Sequence, residues 1–266
     1  ARQSLMLRVE EAYYSVLRAQ MALDLAERTL QQAQAQLEST RARHEQGMLS
    51  LVDLLAAESQ VASAELEVNR AQANLATARM NFNRVIGREL EAPFQLVDEM
   101  TYEPVPVDLE EAVAHALQVR LELERARDTV ELRRKQVEVY DNPYTPQITL
   151  QRARLALEQA QVELAERTID IVLEVRQNYQ SLREAEARVP IQRNNLNRAL
   201  ESLRISEARY EAGVITFIDL IDAQRNAFQA ETQLIQAIFD YNTALARFFQ
   251  SAGYPLEARR EAVSQR

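Results

Sequence analysis

The chain has 266 residues, a net charge of −9, no cysteine and no tryptophan, and only four glycines and seven prolines. The missing cysteine excludes disulfides and thiol chemistry, and the acidic balance argues against a nucleic-acid surface. A composition 47 % hydrophobic and 27 % charged is ordinary for a soluble chain, and so few Gly and Pro imply long helices joined by few turns.

The first predicted helix runs from about Ser4 to Gln46. Its apolar positions are Val9, Ala12, Val16, Ala19, Leu23, Ala26, Leu30, Ala33 and Leu37, with steps alternating between three and four. That is a heptad seam, and alanine at every second seam position lets a partner helix approach closely. Gly47 supplies the turn, because glycine suits the left-handed conformation just past a helix end. Ser50 then caps the next helix, Asp53 sits at its positive end, and Leu49 and Leu54 occupy the hydrophobic-staple positions. The return helix, Leu51 to about Ile86, carries the seam Leu54, Ala57, Val61, Ala64, Val68, Ala71, Leu75, Ala78, Phe82 and Val85. Gly87 ends it.

Residues 88–107 change character, with prolines at 93, 104 and 106 and little heptad order. They read as a linker or equatorial segment. Asp108 with Glu111 starts a short helix over 109–119, a second follows over about 121–140, and D-N-P-Y-T-P-Q at 141–147 is a turn. The longest helix runs from about Thr149 to Ala212, on the seam Val175, Leu182, Val189, Leu196 and Leu203, with Pro190 expected to bend it. Gly213 turns the chain, Thr216 caps, and the last helix extends from Phe217 to about Ala252. Gly253 and Pro255 close it, and a polar tail follows.

The glycines lie at 47, 87, 213 and 253, two pairs separated by the offset that takes Arg43 to Arg209. At that offset R-H-E-Q-G-M-L-S-L-V-D-L-L-A-A matches R-Y-E-A-G-V-I-T-F-I-D-L-I-D-A. The chain is thus a tandem repeat of a helical hairpin. The expected organisation is a first hairpin at 1–87, a linker at 88–107, short helices and a turn at 108–147, a second hairpin at 148–253, and a tail at 254–266. The fold class is all-α, built from long antiparallel coiled-coil hairpins.

Chemistry-bearing motifs are missing. There is no G-x-S-x-G, phosphate loop, H-E-x-x-H or dinucleotide fingerprint, so neither an enzyme nor a cofactor is expected. His44 and His115, the only histidines, lack a second ligand at metal spacing, so no metal site is expected and both read as solvated. Asp53 and Asp219 have a sufficient role as helix-end charges. Asp222 does not: it lies in the second turn, where the first repeat has Ala56. Met48, Leu49 and Leu51, with Val214, Ile215 and Phe217, gather apolar side chains at both tips. Leu49 and Ile215 serve as staples, and the others suggest an exposed docking surface.

Two heptad hairpins with these tips resemble the TolC family of outer-membrane efflux proteins. So do D-L-E-E-A-V-A-H-A-L at 108–117, L-E-V-R-Q-N-Y at 173–179 and L-I-D-A-Q at 220–224. The resemblance implies a helical conduit component of an export system. Three protomers would form a tunnel, and the tips would meet a periplasmic adaptor and an inner-membrane pump. It further implies that Asp219 and Asp222 ring a closed entrance, and that Tyr210 ties one hairpin to its neighbour with Asp53 as partner. Gly47, Leu49, Ser50, Gly213, Ile215 and Thr216 would fall where adaptor tips dock. The expected location is the cell envelope, outside the cytoplasm.

The chain departs from the family pattern where barrel strands are due. No ten-residue alternating strand occurs, so a barrel-less or truncated relative is expected. No 18-residue apolar run occurs, so no direct membrane span is expected either, and no basic-then-apolar signal region opens the sequence. The alternative function is a soluble coiled-coil spacer or adaptor that kept the fold and lost the channel.

Overall fold

A computed structural model describes residues 2–96 and 100–254. Six helices account for most of them: α1 (Arg2–Glu45), α2 (Leu51–Val85), α3 (Leu109–Val119), α4 (Leu121–Tyr140), α5 (Gln147–Glu211) and α6 (Phe217–Ser251). Among the described residues there is no strand. The tail from Pro255 onward lies outside the described residues. The chain divides into two compact units: Ala1–Tyr102 with Glu184–Thr243, and Glu103–Arg183 with Ala244–Arg266. Helices α5 and α6 contribute segments to both.

In the first unit α1 and α2 form an antiparallel hairpin. Val16, Ala19, Leu23 and Ala26 interleave with Val68, Ala71 and Leu75, and Leu30, Ala78 and Phe82 extend the row. These are the seam residues, and their Ala–large alternation is what brings the two helices close. Gln20 accepts from Arg79, and Arg41 pairs with Glu58, across the same hairpin. Phe94 and Leu96 of the linker pack on this core. Buried Asn83 anchors the linker by donating to the carbonyls of Leu90 and Ala92, both at 2.9 Å. The first part of the linker, through Leu96, is therefore docked onto the hairpin.

Helices α1 and α6 each also have a second buried face that the heptad seam does not show. Leu17 and Leu25 of α1, and Ile221, Ile235 and Ile238 of α6, are buried off the seam. The reason is that α1 packs against α6 as well as α2. Arg18 donates to Gln236 at 2.9 Å and lies 4.5 Å over the Phe239 ring, and Arg28 pairs with Glu231 at 2.8 Å. On its other side α6 meets α5, where Arg188 reaches Asp240 at 3.8 Å. Pro190 sits on the exposed side of α5, and the helix continues through it.

The second unit is organised around Arg120, the residue between α3 and α4. Its guanidinium donates to the Ser251 carbonyl at 2.9 Å, to Glu174 at 3.0 Å and to Glu122 at 3.1 Å. Three chain segments thus meet on one mostly buried cation. His115, expected to be solvated, is half-buried instead: Nδ1 lies 2.9 Å from the Ala252 carbonyl, and the ring stacks 4.2 Å from Tyr254. Gly253, at φ +77°, makes that approach possible, since a Cβ there would lie 2.5 Å from Val119 Cγ2.

The hairpin tips as candidate functional site

Both tips are built by the same backbone device. Helix α1 ends with Met48 N–H donating to the Arg43 carbonyl at 2.9 Å and Gly47 N–H to His44 at 2.8 Å. Helix α5 ends with Val214 N–H donating to Arg209 at 2.8 Å and Gly213 N–H to Tyr210 at 2.9 Å. Gly47 (φ +73°) and Gly213 (φ +71°) hold the left-handed position that this termination needs. The following helices start in matched caps. Ser50 Oγ accepts from Asp53 N–H at 3.2 Å, while the Asp53 carboxylate accepts from Ser50 N–H at 3.1 Å and from its hydroxyl at 2.6 Å. Asp219 accepts from Thr216 N–H at 2.9 Å and from its hydroxyl at 2.7 Å.

The helix-end role of both aspartates is therefore complete within each tip. The Thr216 hydroxyl, followed by its backbone N–H, holds the Asp219 carboxyl below its ordinary range. A depressed folded pKa contributes stability above the unfolded value, and that stability is lost as pH falls through the folded one. Acid below about pH 4 should therefore loosen the second tip. Amide exchange at Thr216 and Phe217 measures this, and Asp219→Asn should flatten its pH dependence. Ser50→Ala or Thr216→Ala should each cost about 1 kcal/mol in chemical unfolding. Asp222 stands apart from the caps. It is exposed and accepts from Arg225 at 3.3 Å, one turn on along the same helix.

The apolar tip residues do not all behave alike. Met48 is 70 % exposed and Leu51 57 %, and Val214 is exposed with them. Leu49 and Ile215 are half-buried. Phe217 corrects the expectation of an exposed tip side chain: it is 1 % exposed and packs with Ala57, Leu220 and Ile221 against Leu37, Leu203 and Tyr210. The four helices of the first unit converge there, so Phe217 fills a core and offers no surface. Val52 and Ile218, which share a repeat position and are both exposed, belong to the tip surface although they escaped the sequence reading. The offset that matches Gly47 to Gly213 would have found them.

Tyr210 lies against Phe217, ring centroids 5.6 Å apart. Its hydroxyl and that of Thr40 on α1 are buried neighbours that fall short of hydrogen-bond geometry, so both lack a partner. Burial, and then the negative charge of Asp53, push the Tyr210 phenol up, against the opposing pull of Arg43. The geometry thus gathers Tyr210, Asp53 and Arg43 at one place between the hairpins. His44, which shares the repeat position of Tyr210, is not solvated: its Nδ1 lies 2.8 Å from the Leu49 carbonyl and braces the first turn.

The description of outer membrane efflux proteins matches residues 1–88 and 149–254, which is most of the chain and both hairpins. The chain belongs to the outer membrane efflux protein family. It is similar to the outer membrane protein TolC of Vibrio cholerae serotype O1, with 22 % identity over 94 % of this chain and 68 % of the relative. Among solved structures it resembles a membrane protein from Pseudomonas aeruginosa (TM-score 0.77, 18 % identity, 100 % of this chain and 69 % of that one). It also resembles the outer membrane protein VceC of Vibrio cholerae (TM-score 0.73, 15 % identity, 95 % and 70 %). A third is the open state of the Neisseria gonorrhoeae MtrE outer membrane channel (TM-score 0.72, 18 % identity, 95 % and 66 %). The chain spans about two thirds of each of these proteins. The family is one of cell-envelope transport channels, not of enzymes. Its helical hairpins are present here without a barrel among the described residues. No described helix is long and apolar enough to cross a membrane.

Proposed function

We propose that this efflux-family chain forms the wall of a conduit as a ring of three copies, with its tips docking a periplasmic adaptor that connects to an inner-membrane pump. The internal repeat supports this reading. Within one chain, the second helix of the second repeat (α6) packs on the first helix of the first repeat (α1). Repeating that contact between α2 of one copy and α5 of the next propagates the same interface, and a rotation that closes makes a ring. The required surfaces are exposed and apolar. Leu55 on α2 takes the repeat position of buried Ile221, and Ile191 on α5 that of buried Leu25. Polar positions agree as well: the Arg18–Gln236 contact translates into Glu184 facing Arg70, a complementary pair.

Light scattering in detergent-free buffer tests the ring. A mass near three chains supports the conduit, and a mass of 30.5 kDa transfers the chain to the spacer reading. At the tips, Met48, Leu51, Val214 and their exposed neighbours are the docking surface. Gly47, Ser50, Gly213 and Thr216 shape it, and Leu49 and Ile215 staple it. Asp219 and Asp222 face the entrance, and Tyr210 with Asp53 holds the hairpins together there. Asp222→Ala in a reconstituted ring should raise ion conductance, while stability moves by no more than about 0.5 kcal/mol, because its exposed pair with Arg225 contributes little to folding. A drop in melting temperature with unchanged conductance would remove Asp222 from the gate.

A further inference from the structure

The two seams that meet near the tips both lose their apolar pattern in the last heptad. On α1 the row Ala12, Ala19, Ala26 and Ala33 continues to Thr40, and on α5 the row Leu182, Val189, Leu196 and Leu203 continues to Tyr210. A polar residue in a heptad row costs stability and fixes which faces meet. Thr40 is 0 % exposed, and its hydroxyl lies buried beside that of Tyr210. Asp53 and Arg43 are the charges that act on the Tyr210 phenol. This polar layer is where the first repeat meets the second within one chain.

The internal repeat names the corresponding residues between copies. In the ring, the second repeat of one copy meets the first repeat of the next. At the repeat offset Thr40, Arg43 and Asp53 become Ser206, Arg209 and Asp219, and Tyr210 becomes His44 of the neighbouring copy. His44 ends the row Val16, Leu23, Leu30 and Leu37, as Tyr210 ends its own. Hydroxyl, guanidinium and carboxylate are all retained. The change is from phenol to imidazole, the side chain type whose charge changes between about pH 5 and 8.

The local geometry suits that contact. A carbonyl only accepts, so the His44 nitrogen 2.8 Å from the Leu49 carbonyl, Nδ1, carries the ring proton and Nε2 is left for a neighbour. Both bonds that Asp219 accepts from Thr216 go to Oδ2, which leaves Oδ1. Ser206 is half-buried. On its own helix His44 is flanked by Arg43 and Glu45, of opposite charge. Arg209 reaches Asp219 and opposes a charged imidazole. At Tyr210 the equivalent contest is won by the carboxylate: Asp53 acts on the phenol more strongly than Arg43.

We propose that the copies meet at their tips through a proton-dependent contact, in which His44 of one copy lies against Ser206 and Asp219 of its neighbour. The contact rests on the ring reading and adds a regulation to it. With the imidazole neutral, Nε2 accepts from the Ser206 hydroxyl. Once charged, the ring is drawn to Asp219. The assembly then binds a proton more tightly than separate chains do, so it strengthens as pH falls through the histidine range. Asp219, whose carboxyl is held below its ordinary range, stays ionised throughout that range.

Light scattering of the full chain over a concentration series, at about pH 5.5 and about pH 7.5, tests it. The three-chain assembly should persist to lower concentration at the acid pH, by about fivefold for each contact. Acid also weakens repulsion between copies of net charge −9, so the variants carry the decision. His44→Gln, which keeps an amide donor for the Leu49 carbonyl, should flatten the difference between the two pH values. Asp219→Asn should flatten it with the imidazole in place. Ser206→Ala should weaken assembly at the neutral pH more than at the acid one. Circular dichroism of the dilute chain checks that each variant still folds. A pH difference as large in His44→Gln and Asp219→Asn as in the parent overturns the contact and leaves the ring standing. A single-chain mass at both pH values removes the ring and the contact with it.

Discussion

Phe217→Ala should destabilise the first unit by about 3 kcal/mol or more, whereas Leu51→Ala, at the same position of the other repeat, should cost less than about 1 kcal/mol. The two residues have equivalent sequence surroundings: each follows a capping hydroxyl residue and precedes a capping aspartate by two positions. Their environments are opposite. Phe217 is 1 % exposed among side chains from all four helices, and Leu51 is mostly in solvent. Removing the ring leaves a cavity bounded by Ala57, Leu220 and Ile221, small or branched residues on rigid helices that cannot collapse to fill it. Tyr210 would lose its ring contact at the same time. Chemical unfolding of both variants, with amide exchange over residues 208–222, checks the contrast. Equal costs would mean that Phe217 is no more structural than Leu51, and would return it to the docking surface.

That pair also marks the limit of what the sequence discloses. Features fixed by local chemistry were legible. The heptad seams placed Val16, Leu23, Val68 and Leu75 in the first core, the glycines closed their helices in the left-handed conformation, and Ser50 and Thr216 capped the helices that follow. Contacts set by a third or fourth helix were not. One period per helix describes one seam, so the burial of Leu17 and Leu25, or of Ile235 and Ile238, has no local signature. His44 and His115 were judged by their lack of metal spacing, yet both face a backbone carbonyl that the turn or the chain end brings to them. Arg120 was invisible for the same reason: its three acceptors come from α4, α5 and α6. At the tips, sequence marked the turns but not which apolar side chains stay outside. That choice depends on the second hairpin packing over the first, which buries Phe217 and leaves Leu51, Val52 and Ile218 exposed.

Ile191→Asp should convert a three-chain assembly to single chains while leaving the melting of the isolated chain nearly unchanged. Ile191 is exposed in one protomer, so a carboxylate there costs the monomer little. In the proposed ring it occupies the place that Leu25 holds against α6, and burying an apolar side chain of this size contributes about 2 kcal/mol at each interface. The substitution removes that contribution and adds the cost of a desolvated charge, and the loss is repeated at every contact around the ring. Leu55→Asp should act in the same way from the opposite face. Arg70 and Glu184 supply the specificity arm. Each is now paired along its own helix, with Glu67 at 2.7 Å and Arg188 at 2.8 Å, and each is solvated. An exposed pair is worth at most about 1 kcal/mol, so Arg70→Glu or Glu184→Arg alone should weaken assembly about fivefold per contact. The double exchange should restore most of that loss. Recovery in the double variant identifies α2 and α5 as the surfaces that meet between copies. If Ile191→Asp and Leu55→Asp keep the full mass, the ring closes through other faces and the repeat does not describe its interface.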